Sequence, residues 1–206
     1  MVYDFSANCK HYNKDSYAQD SFINTRCPGC LAIGRFNLHG SYSRHVIYRD
    51  GISFIYKYID IKRIRCVSCG KTHAVLPGDI IAYRLLSLCA FLFIVFSHYI
   101  SNISVLQLSL QHSFSFQFIY SVLYTFKRFE SRIHNLFKIL SPGTTPDYLS
   151  SSELVYILNL YFPAKFQFKY MKLNIRPCFT CRLFCSLSPP DIAFINPYPP
   201  LKGRPT

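Results

Sequence analysis

Two pairs of cysteines constrain the fold of this chain more than any other feature. Each pair is separated by two residues, in the segments Cys27-Pro28-Gly29-Cys30 and Cys66-Val67-Ser68-Cys69. Thiolates at this spacing can converge on one metal ion, and two pairs complete the tetrahedral four-sulfur shell that is typical of structural zinc. Cys27, Cys30, Cys66 and Cys69 are therefore the expected ligands of one structural Zn²⁺. Because such a shell has no open position for substrate, we expect it to stabilise the fold rather than to catalyse.

The other cysteines and a nearby histidine leave alternatives open. His73 follows the second pair and is either a further metal ligand or an ordinary packing residue. Cys178, Cys181 and Cys185 are either a second metal site or free thiols. Nine cysteines, an odd number, at metal-type spacing and without a signal-peptide pattern, indicate a reducing compartment, and the expected location is cytoplasmic.

Short β-rich runs join the two cysteine pairs. Residues 31–38, 41–49 and 52–65 read as strands, and Asp50-Gly51 between the last two is a hairpin signal. A β-unit this small buries little surface, so metal binding is expected to contribute much of its folding free energy, on the order of 10 kcal/mol. The sequence thus predicts an α+β protein with four segments: a loosely ordered lead-in at 1–24, a four-cysteine zinc ribbon at 25–80, a helical unit at 81–140 and a Pro-rich, mostly irregular tail at 141–206.

The segment 85–126 contains no Lys, Arg, Asp or Glu. Its periodicity predicts a buried helix at 84–98, a short helix at 105–111 capped by Ser104, and a longer helix from Phe116 onward. In the longer helix, apolar and polar residues occupy opposite faces at the 3.6-residue period. A short helix, a three-residue turn and a longer helix with a polar face form the helix-turn-helix pattern.

This pattern predicts how the chain would contact DNA. Gln117, Tyr120, Ser121 and Tyr124 would meet base edges, whereas Lys127, Arg128 and Arg132 would meet phosphates. A net charge of +13, from 23 Lys+Arg and 10 Asp+Glu, favours a polyanionic partner. The competing interpretation of the same periodicity is an amphipathic helix in an ordinary bundle.

A second interpretation of the uncharged segment is a membrane hairpin at 85–126. Basic residues flank the segment on both sides, as the positive-inside rule requires. Against it, the first apolar run is shorter than the roughly 20 residues needed to cross hydrocarbon. Gln107, Gln111, His112 and Gln117 would also be unfavourable at membrane depth.

Three spaced segments resemble a known family: CPGC at 27–30, HGSYSR at 39–44 and IKRIRCVSCGKTHAVLP at 61–77. They resemble an uncharacterised bacterial zinc-ribbon domain family, which is similar to the zinc ribbons that precede the helix-turn-helix of insertion-sequence transposases. The resemblance covers residues 27–83 and implies zinc at the four cysteines. Its further signature positions have no assigned role: His39, Tyr42, Arg44, Arg63, Arg65, Thr72 and His73.

The strands also place three arginines in reach of a polyanion. Arg44, Arg63 and Arg65 can form a basic strip that contacts phosphates, or a solvated face. The chain lacks the carboxylate constellation and the length that a transposase catalytic domain needs, so we expect no enzyme activity. The expected function is a zinc-dependent DNA-binding module of mobile-element origin, with DNA as partner and a homodimer as a candidate arrangement. A degenerate reading frame in which only the ribbon folds is a third interpretation.

Overall fold

A four-stranded sheet and four helices form the regular structure of the computed structural model, which describes residues 1–140, 145–160 and Phe179. This content confirms the α+β class. The strands are β1 Val2–Asp4, β2 Phe36–Asp50, β3 Ser53–Cys66 and β4 Thr72–Pro77. The helices are α1 Leu88–Tyr99, α2 Val105–His112, α3 Phe116–Leu140 and α4 Ser151–Leu160.

The hairpin of β2 and β3 carries the chain from the first cysteine pair to the second. The two strands are antiparallel and turn where the sequence predicts, after Asp50, with Gly51 at φ +59°. The predicted strands 31–38 and 41–49 are instead one strand, Phe36–Asp50, whose register shifts between Leu38 and Ser41. Gly40, at φ +91°, supplies the left-handed backbone at this irregularity, so the glycine bends a strand rather than ending it.

The strand order is β1-β4-β3-β2. β4 pairs antiparallel with β3, and β1 pairs in parallel with β4 through Val2 and Val75. Residues 1–24 therefore contain a strand and two short 3₁₀ turns, at Lys14–Ser16 and Gln19–Phe22, where the sequence predicts a loosely ordered lead-in. β1 pairs with a strand some 70 residues away, and such pairing has no local sequence signal.

Two apolar clusters cover opposite faces of this sheet. Adjacent residues of β4 divide between them, Val75 in one and Leu76 in the other, because successive strand residues point to opposite faces. One cluster consists of Cys9, Val46, Ile59, Ile61, Leu76, Ile80 and Ala82. The other contains two of the predicted metal ligands and consists of Phe22, Cys27, Phe36, Ile64, Cys66 and Val75. These two predicted ligands are thus anchored in a core.

The described chain divides into two units. The first comprises residues 1–92, 157–160 and Phe179, and the second comprises residues 93–140 and 145–156. The domain boundaries drawn from the sequence stay predictions. In the first unit, the segment that was predicted to start α1 at residue 84 is instead extended. Leu85 and Ser87 hydrogen-bond to both backbone groups of Ile47, at 2.7 and 2.8 Å, so the helix begins only at Leu88.

The second unit contains the predicted short and long helices. α2 begins after Ser104, whose side chain accepts a hydrogen bond from the Gln107 amide, and α3 begins after Ser115. The apolar stripe of α3 is buried, and its residues recur at the helical period: Ile119, Val122, Phe126, Phe129, Ile133 and Phe137. α4 begins at Ser151, where a helix is predicted. Beyond α4, the predicted irregular tail lies outside the described residues except for Phe179, and so do Cys178, Cys181 and Cys185.

Candidate functional site

The four predicted ligand sulfurs lie together at one end of the sheet. The sulfurs of Cys27, Cys30, Cys66 and Cys69 are all within 4.8 Å of one another. Cys27 and Cys69 are 3.7 Å apart, and Cys30 and Cys66 are 3.6 Å apart, measured between their sulfurs. A tetrahedral ion with metal–sulfur bonds of about 2.3 Å places its ligand sulfurs about 3.8 Å apart. The donor set therefore fits one tetrahedral metal ion.

The two cysteine pairs are built in the same way. In each, the fourth residue after the first cysteine donates its amide back to that cysteine's carbonyl: Leu31 to Cys27 and Gly70 to Cys66, both at 2.9 Å. Both donors have left-handed backbone, with φ +65° at Leu31 and φ +69° at Gly70. This turn brings the second cysteine of each pair back beside the first, so local backbone geometry pre-forms half of the site.

Backbone amides also favour the ionised form of the sulfurs. The Gly29 amide lies 3.3 Å from the Cys27 sulfur and donates to it. The amide of Cys69, with a smaller contribution from that of Ser68, lowers the pKa of Cys66 to about 6. The amide of Ala32 acts in the same direction on Cys30, but desolvation and hydrogen bonds with the three neighbouring thiols together outweigh it and raise the pKa of Cys30. The amide donors therefore favour the thiolate form of Cys66, which is the form that binds a metal ion.

Burial within the site is unequal. Cys27 and Cys66 are 0% and 1% exposed, whereas Cys30 is exposed and Cys69 is half-buried. His73, left open as a further ligand, lies beside the cluster with its Nε2 atom 3.3 Å from the Cys27 sulfur. The group of side chains that could hold one ion contains the four cysteines and not His73. Sequence reasoning missed this contact, because it joins residues that are 46 positions apart in the chain.

The three predicted strand arginines differ in their surroundings. Arg63 and Arg65 alternate on β3 and so lie on one face of the sheet, the face opposite Cys66. Arg65 is exposed, and its Nε atom donates to the Gly70 carbonyl at 3.2 Å. Arg44 instead donates to the backbone carbonyls of Ile81, at 2.8 Å, and Arg84. Its guanidinium therefore ties β2 to the segment before α1.

The other signature positions of the resemblance lie in two different parts of the sheet. Asn37 and Thr72 flank Arg65 on the two neighbouring strands, so all three residues lie on one face of the sheet. Tyr42, on β2, pairs with Ile61 and is exposed, and His39 is exposed at the β2 irregularity. Thr72 and Arg65 are therefore neighbours, whereas His39 and Tyr42 belong to the edge strand.

In the second unit, the predicted polar face of α3 is exposed along much of its length. Tyr120 and Tyr124 are 60% and 55% exposed. Gln117, Lys127, Arg128 and Arg132 are also exposed, whereas Ser121 is half-buried and donates its hydroxyl to the Phe118 carbonyl at 2.9 Å. The periodicity therefore separates the two faces of the helix correctly.

The charges on this face differ in their surroundings. Lys127 forms an ion pair with Glu130 at 2.9 Å. The Arg128 guanidinium lies 5.8 Å from the centre of the Tyr124 ring, and Arg132 lies 5.4 Å from that of Phe129. These positions are compatible with cation–π contacts, which hold guanidinium groups close to the helix surface. The exposed face thus presents two tyrosines followed by two arginines.

The connection between α2 and α3 is short, as the sequence predicts. Three residues separate the helices, and the first of them, Ser113, is left-handed, at φ +56° and ψ +31°. The Ser109 hydroxyl donates to the Phe114 carbonyl at 2.7 Å, and the ring of Phe114 packs on that of Phe118 with centres 5.0 Å apart. A buried Phe114 thus fixes the second helix to the first.

The membrane interpretation required two spanning helices between residues 85 and 126. Within residues 1–140 and 145–160, no helix combines the length and the apolar character needed to cross a bilayer.

Comparison with known proteins gives one match. The model of a family described as a domain of unknown function (DUF6431) matches residues 27–106. This range includes both cysteine pairs, the hairpin between them, α1 and the beginning of α2. No curated protein and no solved structure is significantly similar to the chain. The similarity to transposases stays a prediction, since none of these comparisons bears on it.

Proposed function

We propose that the protein is a DNA-binding module in which one Zn²⁺ ion stabilises the sheet end and α3 reads the duplex. The observation that carries the proposal is the exposed face of α3, which begins after a short helix and a three-residue turn. A helix presented in this way can enter the major groove of B-DNA.

Zinc is the metal that suits the site best. Four cysteine sulfurs at tetrahedral spacing favour zinc over magnesium or calcium, which prefer oxygen ligands. The ion would be held by Cys27, Cys30, Cys66 and Cys69 and would supply folding free energy. Thiolate ligands need a reducing compartment, so we place the protein in the cytoplasm.

The charge along α3 supports a division of roles. The exposed side chains of its first half, Gln117, Tyr120 and Tyr124, are uncharged and able to hydrogen-bond to base edges. From residue 127 onward the helix has four Lys or Arg residues and one acid, Glu130. Its second half therefore attracts phosphates, which fix position without reading sequence. Arg63 and Arg65 offer a second basic surface on the sheet. A homodimer stays a prediction.

The proposal predicts a steep salt dependence of binding that depends on α3. Zinc-loaded full-length protein should bind random duplex DNA with an affinity that falls linearly in log salt. The double variant Arg128→Ala, Arg132→Ala should have a slope of log affinity against log salt that is smaller by about 1.8, since each phosphate contact contributes about 0.9. Fluorescence anisotropy across a salt series measures both quantities.

A control variant removes the same charge elsewhere. Lys10→Ala with Lys14→Ala also lowers the net charge by two, but both lysines are ion-paired, to Asp50 and Asp60. This variant should keep the wild-type slope. Equal slopes for both double variants would show that α3 does not contact phosphates. An absence of binding at low salt by zinc-loaded protein would overturn the proposed function.

A further inference from the structure

His73 occupies a fixed position beside the metal centre. It lies on β4 opposite Ile64 of β3, so its side chain is on the sheet face that holds Cys66 and the apolar cluster around it. It is 8% exposed, and its ring meets that of Phe36 edge-on, with centres 6.2 Å apart and planes at 83°. Neighbours in the sheet and the core therefore determine where its nitrogens point.

The Nε2 atom of this ring faces a ligand. It is 3.3 Å from the Cys27 sulfur, within the range of a hydrogen bond to sulfur. A metal-bound Cys27 is a thiolate and has no proton to donate, so Nε2 must carry the proton and donate it. In the part of the chain that the structure describes, no other side chain except those of the cysteines lies within hydrogen-bond distance of a ligand sulfur.

Such a donor matters because of the charge of the site. A divalent ion with four thiolates has a formal charge of −2, and N–H donors to the sulfurs spread this charge and hold the ligands in place. Cys27 receives two donors, the Gly29 amide at 3.3 Å and His73 at 3.3 Å, and is fully buried. Cys30 lies on the exposed side of the same site.

We propose that His73 is a positioning residue that holds the Cys27 thiolate on the metal through an Nε2–H···Sγ hydrogen bond, so that Cys30 leaves the ion before Cys27. This inference rests on the metal site of the proposed function, and it is independent of DNA binding. His73 is one of the signature positions of the resemblance, and here it acts as a hydrogen-bond donor to a ligand rather than as a fifth ligand.

Two variants separate the hydrogen bond from packing. His73→Phe keeps a planar ring against Phe36 but has no donor, whereas His73→Gln keeps an N–H at about the reach of Nε2. We expect the Phe variant to release zinc about tenfold faster to excess 4-(2-pyridylazo)resorcinol, in line with the loss of a second-shell partner. The Gln variant should release zinc at close to the wild-type rate.

The order of ligand loss is a second readout. Peptide mapping after limited N-ethylmaleimide treatment should find Cys30 alkylated first and Cys27 only after a delay in the wild type. In the Phe variant the delay at Cys27 should shorten, while Cys30 stays first. An unchanged release rate and order in the Phe variant, or equal acceleration in both variants, would assign His73 to packing alone and overturn the proposal.

A measurement on the wild-type protein covers the case in which the Phe variant does not fold. Imidazole ¹⁵N spectra of the zinc-loaded chain should show His73 with a proton on Nε2 and none on Nδ1. The opposite tautomer would overturn the proposal. Wild-type protein that binds no zinc would overturn the metal site together with this inference, whereas zinc binding without DNA binding would overturn only the DNA-binding function.

Discussion

At the scale of single residues, the two cysteine turns have the same backbone conformation but a different residue at the position that closes the turn. The amide that closes each turn comes from a left-handed residue, which is Gly70 in the second pair and Leu31 in the first. Glycine adopts this conformation readily, whereas a side chain with a Cβ costs about 1 kcal/mol or more there. The first turn is therefore strained where the second is not.

This strain predicts an inverted preference between glycine and alanine at residue 31. Because Leu31 is exposed, little packing is lost on substitution. Zinc-loaded Leu31→Gly should be more stable than Leu31→Ala by about 1 kcal/mol in urea unfolding. At Ile33, an exposed residue of the same loop without left-handed backbone, the glycine variant should be the less stable one by about 0.5–1 kcal/mol. The same order at both positions would contradict this account.

At the scale of elements, α2 is the helix that depends most on its cap. It has eight residues, and Leu108 is its only buried one, so packing contributes little to its stability. Ser104 and Gln107 form reciprocal bonds: the Gln107 amide donates to the Ser104 hydroxyl at 3.2 Å, and the Ser104 amide donates to the Gln107 side chain at 3.0 Å. This capping box satisfies two amides that the helix leaves without partners.

Loss of the cap is therefore predicted to lower the stability of the protein by a measurable amount. Ser104→Ala should lower the free energy of unfolding by about 1 kcal/mol and weaken DNA binding, because α2 supports α3. Ser101→Ala, an exposed serine just before the cap, should leave both quantities unchanged. Urea unfolding followed by helical circular dichroism measures the first and anisotropy the second. Equal effects of the two substitutions would show that the Ser104 cap does not stabilise α2.

At the scale of the whole molecule, the proposed zinc links segments that are distant in the chain. It joins the loop at 27–30 to the end of β3. In the sequence, these two segments are separated by the whole β2–β3 hairpin. The second unit has its own buried apolar stripe on α3 and contains none of the ligands. Metal binding is therefore expected to stabilise the first unit directly.

Removal of one ligand tests this coupling. Cys66→Ser should lose stoichiometric zinc and make residues 25–80 sensitive to protease, because the metal's contribution to folding is lost. Cys89→Ser, which alters an exposed thiol outside the site, should keep one zinc and the wild-type digestion pattern. Full zinc stoichiometry and an unchanged Tm in Cys66→Ser would contradict the assignment of this residue as a ligand.

The amino-acid sequence by itself determined the features that depend on near neighbours. The two-residue spacing of the cysteines predicted the metal centre, the 3.6-residue period predicted the exposed and buried faces of α3, and Asp50-Gly51 predicted the hairpin. Each is a local rule, because a turn or a helix is decided by residues a few positions apart.

Only the tertiary structure decided which side chains meet across the sheet. It placed β1 beside β4, engaged Arg44 with the carbonyls of Ile81 and Arg84, and set His73 against Cys27. Sequence reasoning treated Arg44 as equivalent to Arg63 and Arg65, since composition does not tell which arginine finds a backbone partner. These contacts join residues that are 37 or more positions apart, and neither strand pairing nor tertiary packing at such a separation has a local sequence code.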